Sequence, residues 1–290
     1  MNKVVVHAPA KLNLALAVTG LAENGYHTVD MLMQAISLYE RVEVVKSAGY
    51  SLRCPKSPVP ANDKNTATKA AAAFFRETGL LAGCDITVHK AVPTRAGMAG
   101  GSADAAAVLV GLNALYGARL TLEELCEIGL LVGADVPFSL MGGTARAGGI
   151  GEVLQPLRPL PACWFAVAMP VGGVSTPAAY RRFDELGSPL SPDIDAAVAA
   201  IEAGSLTALA PHMQNMLEFA NGDDTTRSLR AIMDTAGALA SMMTGSGAAV
   251  FGLFAEEAAA RQAAQNAQPL AAKVFVAQPT AEGPSVITAA

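Results

Sequence analysis

Residues Pro93 to Asp104, Pro-Thr-Arg-Ala-Gly-Met-Ala-Gly-Gly-Ser-Ala-Asp, constrain the fold more than any other stretch, because a glycine-rich loop there runs directly into the apolar segment Ala105 to Tyr116. Apolar residues on almost every side of that segment predict a buried helix, which Gly117 ends. Gly97, Gly100 and Gly101 admit backbone angles that a Cβ disfavours. The helix opening near Ser102 leaves unpaired N–H groups at the positive end of its dipole, a junction suited to phosphate. The same residues also describe an ordinary flexible loop with Ser102 as its N-cap, so the loop alone does not decide.

At 290 residues the chain exceeds the size at which one core usually stops growing, and two domains are expected, 1–157 and 158–290. The cluster Pro156, Pro159 and Pro161 marks the boundary. Hydrophobic residues make up 52% and charged residues 16%, so the chain is globular and not disordered. A net charge of −5 argues against a reader of nucleic-acid backbone, whereas a small anionic ligand needs only local cations and backbone donors. Cys54, Cys84, Cys126 and Cys163 have no zinc-like spacing and are expected as buried thiols in a reducing cytoplasm. Lys11 and Asn13 interrupt the N-terminal apolar run, which argues against a secretion signal. Two long uncharged stretches, Pro159 to Tyr180 and Thr235 to Ala255, are broken by prolines or glycines and fail as membrane spans.

Alternation from Leu12 predicts a strand with Leu12, Leu14, Leu16 and Val18 on one face and Lys11, Asn13, Ala15 and Ala17 on the other. A polar pair among small alanines leaves room for a ligand; the alternative is a solvent-exposed face. Asn24-Gly25 reads as a turn that presents Tyr26 and His27, followed by an apolar segment, Met31 to Leu38, and a strand near Arg41 to Lys46. Asn65 caps a helix closed by Gly79, and Ile86 to Val92 is a strand that delivers the chain into the glycine loop. Thr121-Leu122-Glu123-Glu124 is a capping box opening a helix that Gly133 terminates. Asp135, before Val136-Pro137, is expected on an irregular turn between apolar flanks, where a carboxylate needs a partner or a role.

Beyond the boundary, Trp164 to Ala168 is a strand, and Ile194 to Ala203 and Thr226 to Ala236 are helices. A second glycine-rich element, Thr244 to Gly252, runs into an apolar strand. A helix over Glu256 to Ala267 and a last strand, Lys273 to Ala277, follow, and the tail after Pro279 is expected to be loosely held.

Walker, HExxH, GxSxG and protein-kinase sequences are absent, and the loop lacks the downstream acidic residue of a dinucleotide fold. Taken together, Pro93 to Asp104 and Thr244 to Gly252 resemble the two glycine motifs of the galactokinase, homoserine kinase, mevalonate kinase and phosphomevalonate kinase (GHMP) superfamily. Ala10-Lys11-Leu12-Asn13-Leu14, Gly25-Tyr26-His27 and Gly133-Ala134-Asp135-Val136-Pro137-Phe138 are similar to the signature of its 4-diphosphocytidyl-2-C-methyl-D-erythritol kinase family.

That resemblance implies an α+β, two-domain fold: a ribosomal-protein-S5-like N-terminal domain and a ferredoxin-like C-terminal domain with the active site in the cleft between them. It implies ATP-dependent phosphorylation of the 2-hydroxyl of a cytidyl-diphosphate polyol in the non-mevalonate isoprenoid route, with Mg2+ accompanying ATP and metal ligands unassigned. Asp135 would accept the hydroxyl proton, and Lys11 would hold that carboxylate ionised. Asn13 would position the substrate. Tyr26 by stacking and His27 by hydrogen bonding would read cytosine, and Tyr180 would cover its other face.

The loop holding Pro93, Arg95, Ala96, Gly97, Met98, Ala99, Gly100, Gly101, Ser102 and Ala103 would wrap the ATP phosphates through backbone N–H groups from Gly97 to Ser102, and Asn65 would approach the adenine. Thr176, Gly245 and Ser246 would close over the substrate. Arg95 stands where the family has Gly, Met98-Ala99 where it has Leu-Gly, and Ala103 where it has a second Ser. Asn24 replaces its Asp before Gly25, and Asn215-Met216-Leu217-Glu218 matches its Asn-Asp-Phe-Glu-like element in part. A homoserine- or mevalonate-type kinase, or a catalytically silent nucleotide-binding relative, is the alternative. The expected form is a monomer or weak homodimer.

Overall fold

Two long strands form the frame. The alternation seen from Leu12 extends in both directions into β1 (Lys3–Leu21), which pairs antiparallel with β2 (His27–Ser47) along nearly its whole length. The separate apolar segment and strand expected over Met31 to Lys46 are thus one continuous strand. Between β1 and β2, the Asn24 side chain accepts from Tyr26 N at 3.1 Å and Gly25 takes φ 81°, so Asn24 makes the turn that the family's Asp would make. The computed structural model describes residues 1–55, 57–187 and 190–289.

After β2 come β3 (Tyr50–Arg53), α1 (Thr66–Thr78), β4 (Gly83–His89), α2 (Gly100–Tyr116), α3 (Leu122–Leu130), α4 (Val136–Met141), β5 (Thr144–Gly148) and β6 (Val153–Pro156). The second half holds β7 (Trp164–Pro170), α5 (Thr176–Leu186), α6 (Ile194–Glu202), α7 (Leu206–Leu209), α8 (Met216–Asn221) and α9 (Asp224–Thr235). It continues with β8 (Ala240–Met243), β9 (Val250–Phe254), α10 (Glu257–Ala267), β10 (Ala271–Ala277) and β11 (Ser285–Ala289). One sheet runs β11-β1-β2-β4-β3, with β5 on β2 and β6 on β5; the other runs β10-β7-β9-β8 and is antiparallel throughout. Strands segregated into two sheets with helices packed on them define the expected α+β class.

Helices α1 and α2 cover the first sheet, and Val108, Leu109 and Leu112 of α2 are wholly buried, each contributing about 1.5–3 kcal/mol. A second apolar cluster joins Leu32 and Met33 of β2 to Phe165 of β7 and Phe251 of β9. The two halves therefore share a core, and the walls of the cleft between them are held rigidly. Asn65 caps α1 through Ala67 N at 2.9 Å, and the Thr121 capping box is complete. Helix α3 stops at Leu130, before the expected Gly133.

The tail is not loose. Thr280 N donates to Ala35 O and Ser37 N to Gln278 O, both at 2.9 Å, and β11 pairs with β1. Gly283 passes so close to Leu140 that a Cβ would stand 2.1 Å from its carbonyl oxygen. The last described strand thus lies in the sheet that holds β1. Cys84 and Cys163 are buried, whereas Cys54 and Cys126 are half-buried, and all four are free thiols. Among the described residues no helix is long and apolar enough to cross a membrane.

Candidate active site

A cleft of about 1090 Å³ runs between the halves, lined by the glycine loop, by Lys11, Asn13 and Asp135, and by Tyr26, His27 and Tyr180. Lys11 adjoins the loop at Met98, the Asp135 charge reaches both Lys11 and Tyr180, and His27 lies beyond on Tyr180. Asn65, Thr176, Gly245 and Ser246 also line it.

The loop is held by its carbonyls. Lys11 N donates to Met98 O at 3.2 Å, Ala249 N to Ala96 O at 3.2 Å, and both Val174 N and Ala248 N to Arg95 O at 3.3 and 3.2 Å. Helix α2 begins at Gly100, one turn's fraction before the expected Ser102, with Ala99 as an N-cap that offers no side-chain bond. Its first amides are orphaned by helix geometry, and Gly100, Gly101 and Ser102 line the cleft. Carbonyls turned inward and amides left at the cleft make a nest for an anion.

Two departures from the family pattern now have a physical setting. Arg95 and Ala99 adopt left-handed φ of 55° and 54°, the conformation that favours glycine at such positions. Opposite Arg95 stands Gly173, where a Cβ would lie 2.6 Å from the Arg95 Cβ, so a side chain at 95 is accommodated by its absence at 173. Ala103 does not line the cleft: it is fully buried in the core between α2 and the sheet, and its backbone N–H is already given to Ala99 O at 2.9 Å. Its assignment to the phosphate site is corrected, and a hydroxyl there would face core rather than ligand.

The second glycine turn meets the first backbone to backbone. A Cβ on Gly97 would stand 2.0 Å from Thr244 O, and one on Gly245 would stand 2.8 Å from Gly97 O. Thr244 is buried, accepts from Asn13 N at 2.9 Å and donates to Gly97 O at 3.4 Å, so it ties both turns to β1. Thr176 and Ser246 hydroxyls lie 3.0 Å apart.

Lys11 and Asn13 are buried on β1, and the Lys11 ammonium donates to Asn13 Oδ1. A bulge between Asn13 and Ala15 flips the alternation, so Leu16 lines the cleft with Lys11 and Asn13 and not with Leu12. Asp135 sits at the N-cap of α4, yet its side chain makes no capping bond; Ser139 N and Oγ donate instead to its carbonyl at 3.0 and 2.9 Å. The carboxylate is left for the cleft. No ion pair within 4.0 Å joins it to Lys11 among the described residues, although its charge acts on the Lys11 ammonium. Burial holds the Lys11 ammonium below its ordinary pKa, opposed by the charge of Asp135.

At the far end Tyr26 is 63% exposed, whereas His27 stacks face to face on Tyr180 with ring centroids 4.5 Å apart. One face of Tyr180 is thus taken by His27 itself. Burial, and then the Asp135 charge, push the Tyr180 hydroxyl up to about 12, so it stays a neutral donor.

Sequence reasoning passed over a buried cluster at the base of the loop. Lys90 donates to Asp104 Oδ2 at 2.7 Å and to Gly100 O at 3.3 Å, and pairs with Glu40, whose other oxygen accepts from Ala91 N at 2.8 Å. Burial pushes the Asp104 carboxyl up to about 7, Lys90 resisting and Glu40 adding to the shift. Residues 40, 90 and 104 carry no shared motif; only the topology brings them together. Lys64, Arg181 and Asp184 also line the cleft. Helical spacing from Tyr180 was the available signal for Asp184.

Two glycine turns closing on one cleft that also holds a buried lysine and an uncapped aspartate define a small-molecule kinase of the GHMP class. The description "GHMP kinases N terminal domain" matches residues 65–143, and "GHMP kinases C terminal" matches 197–269. The chain belongs to the 4-diphosphocytidyl-2-C-methyl-D-erythritol kinase family within that class. It is 37% identical over 270 residues to the enzyme of that name from Alkaliphilus metalliredigens, covering 92% of this chain and 93% of the relative. The Exiguobacterium sibiricum enzyme is 39% identical over 277 residues, with 94% and 96% covered. A crystal structure of 4-(cytidine 5'-diphospho)-2C-methyl-D-erythritol kinase superposes with a TM-score of 0.79 at 33% identity, covering 95% of this chain and 98% of that one. Homoserine kinase from Cytophaga hutchinsonii shares the fold, with a TM-score of 0.80 at 19% identity over 99% and 98% of the chains.

Proposed function

We propose that the chain transfers the γ-phosphoryl group of ATP to the 2-hydroxyl of 4-diphosphocytidyl-2-C-methyl-D-erythritol. The observation that carries this is the continuity of the cleft: a phosphate nest, a buried lysine with a free carboxylate, and a group of aromatic residues line one cavity, with Lys11 bonded to the loop at Met98 and the Asp135 charge reaching both Lys11 and Tyr180. A nucleotide triphosphate at the nest and a flat base between the aromatic residues would bring phosphoryl and hydroxyl groups together beside Asp135.

In the proposed step Asp135 accepts the proton of the attacking hydroxyl while its oxygen bonds to phosphorus and the bond from phosphorus to the ADP oxygen breaks. Lys11 acts as a fixed cation toward the transferring group, held in line by Asn13 rather than by the base. Amides of Gly97 to Ser102 hold the β- and γ-phosphates, and Lys64 and Arg95 add charge at the cleft wall. Asn65 has both ends of its amide engaged, Oδ1 with Ala67 N and Nδ2 with Pro60 O at 2.9 Å, so it shapes the adenine end as part of a rigid cap. Magnesium would accompany ATP and would neutralise the charge that develops on the transferring group. Among the described residues no group of three His, Cys, Asp or Glu side chains is placed to hold a metal ion, and oxygen donors of the kind Mg2+ accepts, Ser102 and Thr66 beside the glycine loop among them, line the cleft.

Aromatic residues at the far end favour the cytidyl substrate over the homoserine- or mevalonate-type alternative, whose acceptors have no ring to stack. Asp135→Asn tests the assignment of the base. Turnover is expected to fall about 100-fold or more with ATP affinity within threefold of the parent, measured by initial rates and nucleotide titration. Unchanged turnover would remove Asp135 from the chemistry.

A further inference from the structure

The His27 imidazole is held by two groups from one helix. Tyr180 and Asp184 stand one turn apart on α5 and reach the same ring. Tyr180 stacks on it at 4.5 Å and 20°, and His27 Nε2 lies 2.8 Å from Asp184 Oδ1. The His27 side chain is 14% exposed while Asp184 is 55% exposed, so the carboxylate is reached from the cleft mouth without being buried itself.

An ionised carboxylate has only lone pairs to offer, so the hydrogen in this contact belongs to Nε2. In a neutral imidazole the other nitrogen, Nδ1, must then be an acceptor. The two pyrimidines differ at that kind of contact: cytosine carries a 4-amino donor where uracil carries a 4-oxo acceptor. An Nδ1 lone pair can receive the first and repels the second. Resting on the reading of His27 as the base-recognition residue, we propose that Asp184 is a specificity-determining positioning residue. By fixing the Nε2–H tautomer of His27, it makes the site select a cytidyl over a uridyl diphosphate substrate. Nothing in this role requires Asp184 to touch the base. Tyr180 contributes by holding the ring plane, which sets the direction of the Nδ1 lone pair.

The test compares kcat/KM for the cytidyl substrate and its uridyl counterpart in the parent protein and in Asp184→Asn, Asp184→Ala and Asp184→Glu, with the KM for ATP as control. Asparagine can present either its carbonyl or its amino group to Nε2, so both tautomers become accessible. The cytidyl-to-uridyl preference is then expected to fall about 10-fold or more, with the same loss in Asp184→Ala. Asp184→Glu keeps an acceptor-only partner and is expected to retain the preference within about threefold of the parent. Histidine 15N shifts give an independent readout, with an Nε2–H tautomer for His27 in the parent and a mixture in Asp184→Asn.

A parent that discriminates and an Asp184→Asn variant that discriminates equally well would overturn the role of Asp184 and leave the base pocket standing. A parent that uses both pyrimidines alike would overturn the pocket assignment and this role together. Because Asp184 is exposed, loss of folding is not expected, and an unchanged KM for ATP verifies it.

Discussion

Gly97→Ala separates a packing requirement from a backbone one. Gly97 has φ 74°, and its Cβ would lie 2.0 Å from Thr244 O, 2.9 Å from Thr244 C and 3.1 Å from Gly247 N. A left-handed angle costs an alanine about 1–2 kcal/mol. Relieving an overlap with backbone, which cannot rotate away, costs about 1–3 kcal/mol more. The total is about 2–5 kcal/mol. Gly79 supplies the control: its φ is 67°, its Cβ would meet nothing within 4 Å, and Gly79→Ala is expected to cost only the first amount. At about 2–4 °C per kcal/mol, the melting temperature should fall by about 4–20 °C for Gly97→Ala and about 2–8 °C for Gly79→Ala. Forcing the two glycine turns apart also strains the bond from Asn13 N to Thr244, so kcat should fall in Gly97→Ala alone. Calorimetry and initial rates on both variants give the answer. Equal losses of stability with equal rates would refute the claim that the two turns are locked backbone to backbone.

Two further outcomes follow from the site. Tyr26→Ala and His27→Ala are expected to raise the KM for the cytidyl substrate about 10-fold or more and leave that for ATP unchanged, since they lie at the opposite end of the cleft from the phosphate nest; equal loss of both would place the base elsewhere. Burial raises the Asp104 pKa from 3.8 to about 7, so over that window the folded chain binds a proton that the unfolded chain has released. Stability therefore falls as pH rises from about 4 to 7, and Asp104→Asn should flatten that slope in denaturant titrations; an unaltered slope would assign it to other groups.

Much of the site was legible because it is written in short, local runs. The glycine loop, Lys11 with Asn13, Tyr26 with His27 and Asp135 each announce themselves through a few neighbouring residues whose chemistry is unusual for their flanks. What was hidden depends on register or on distance along the chain. The bulge after Asn13 sends Leu16 to the cleft, and periodicity gives no sign of a single extra residue. Ala103 stands on the core-facing side of α2, and the run of small residues after the loop gives no sign of which of them turn away from the ligand. Lys90, Glu40 and Asp104 meet only because β2, β4 and α2 converge. The exposed residues of β11 carry no apolar pattern, so its pairing with β1 could not be foreseen from Ser285 to Ala289.

The central claim is that the cleft joins ATP to a cytidyl-diphosphate polyol. It is tested most directly by following ADP release and 31P spectra of the purified protein with ATP and Mg2+, with and without 4-diphosphocytidyl-2-C-methyl-D-erythritol. ADP formation that depends on the cytidyl substrate, together with one new phosphomonoester signal on the polyol, is the result predicted. ADP formed at the same rate without that substrate, or phosphate delivered to homoserine or mevalonate in its place, would contradict it.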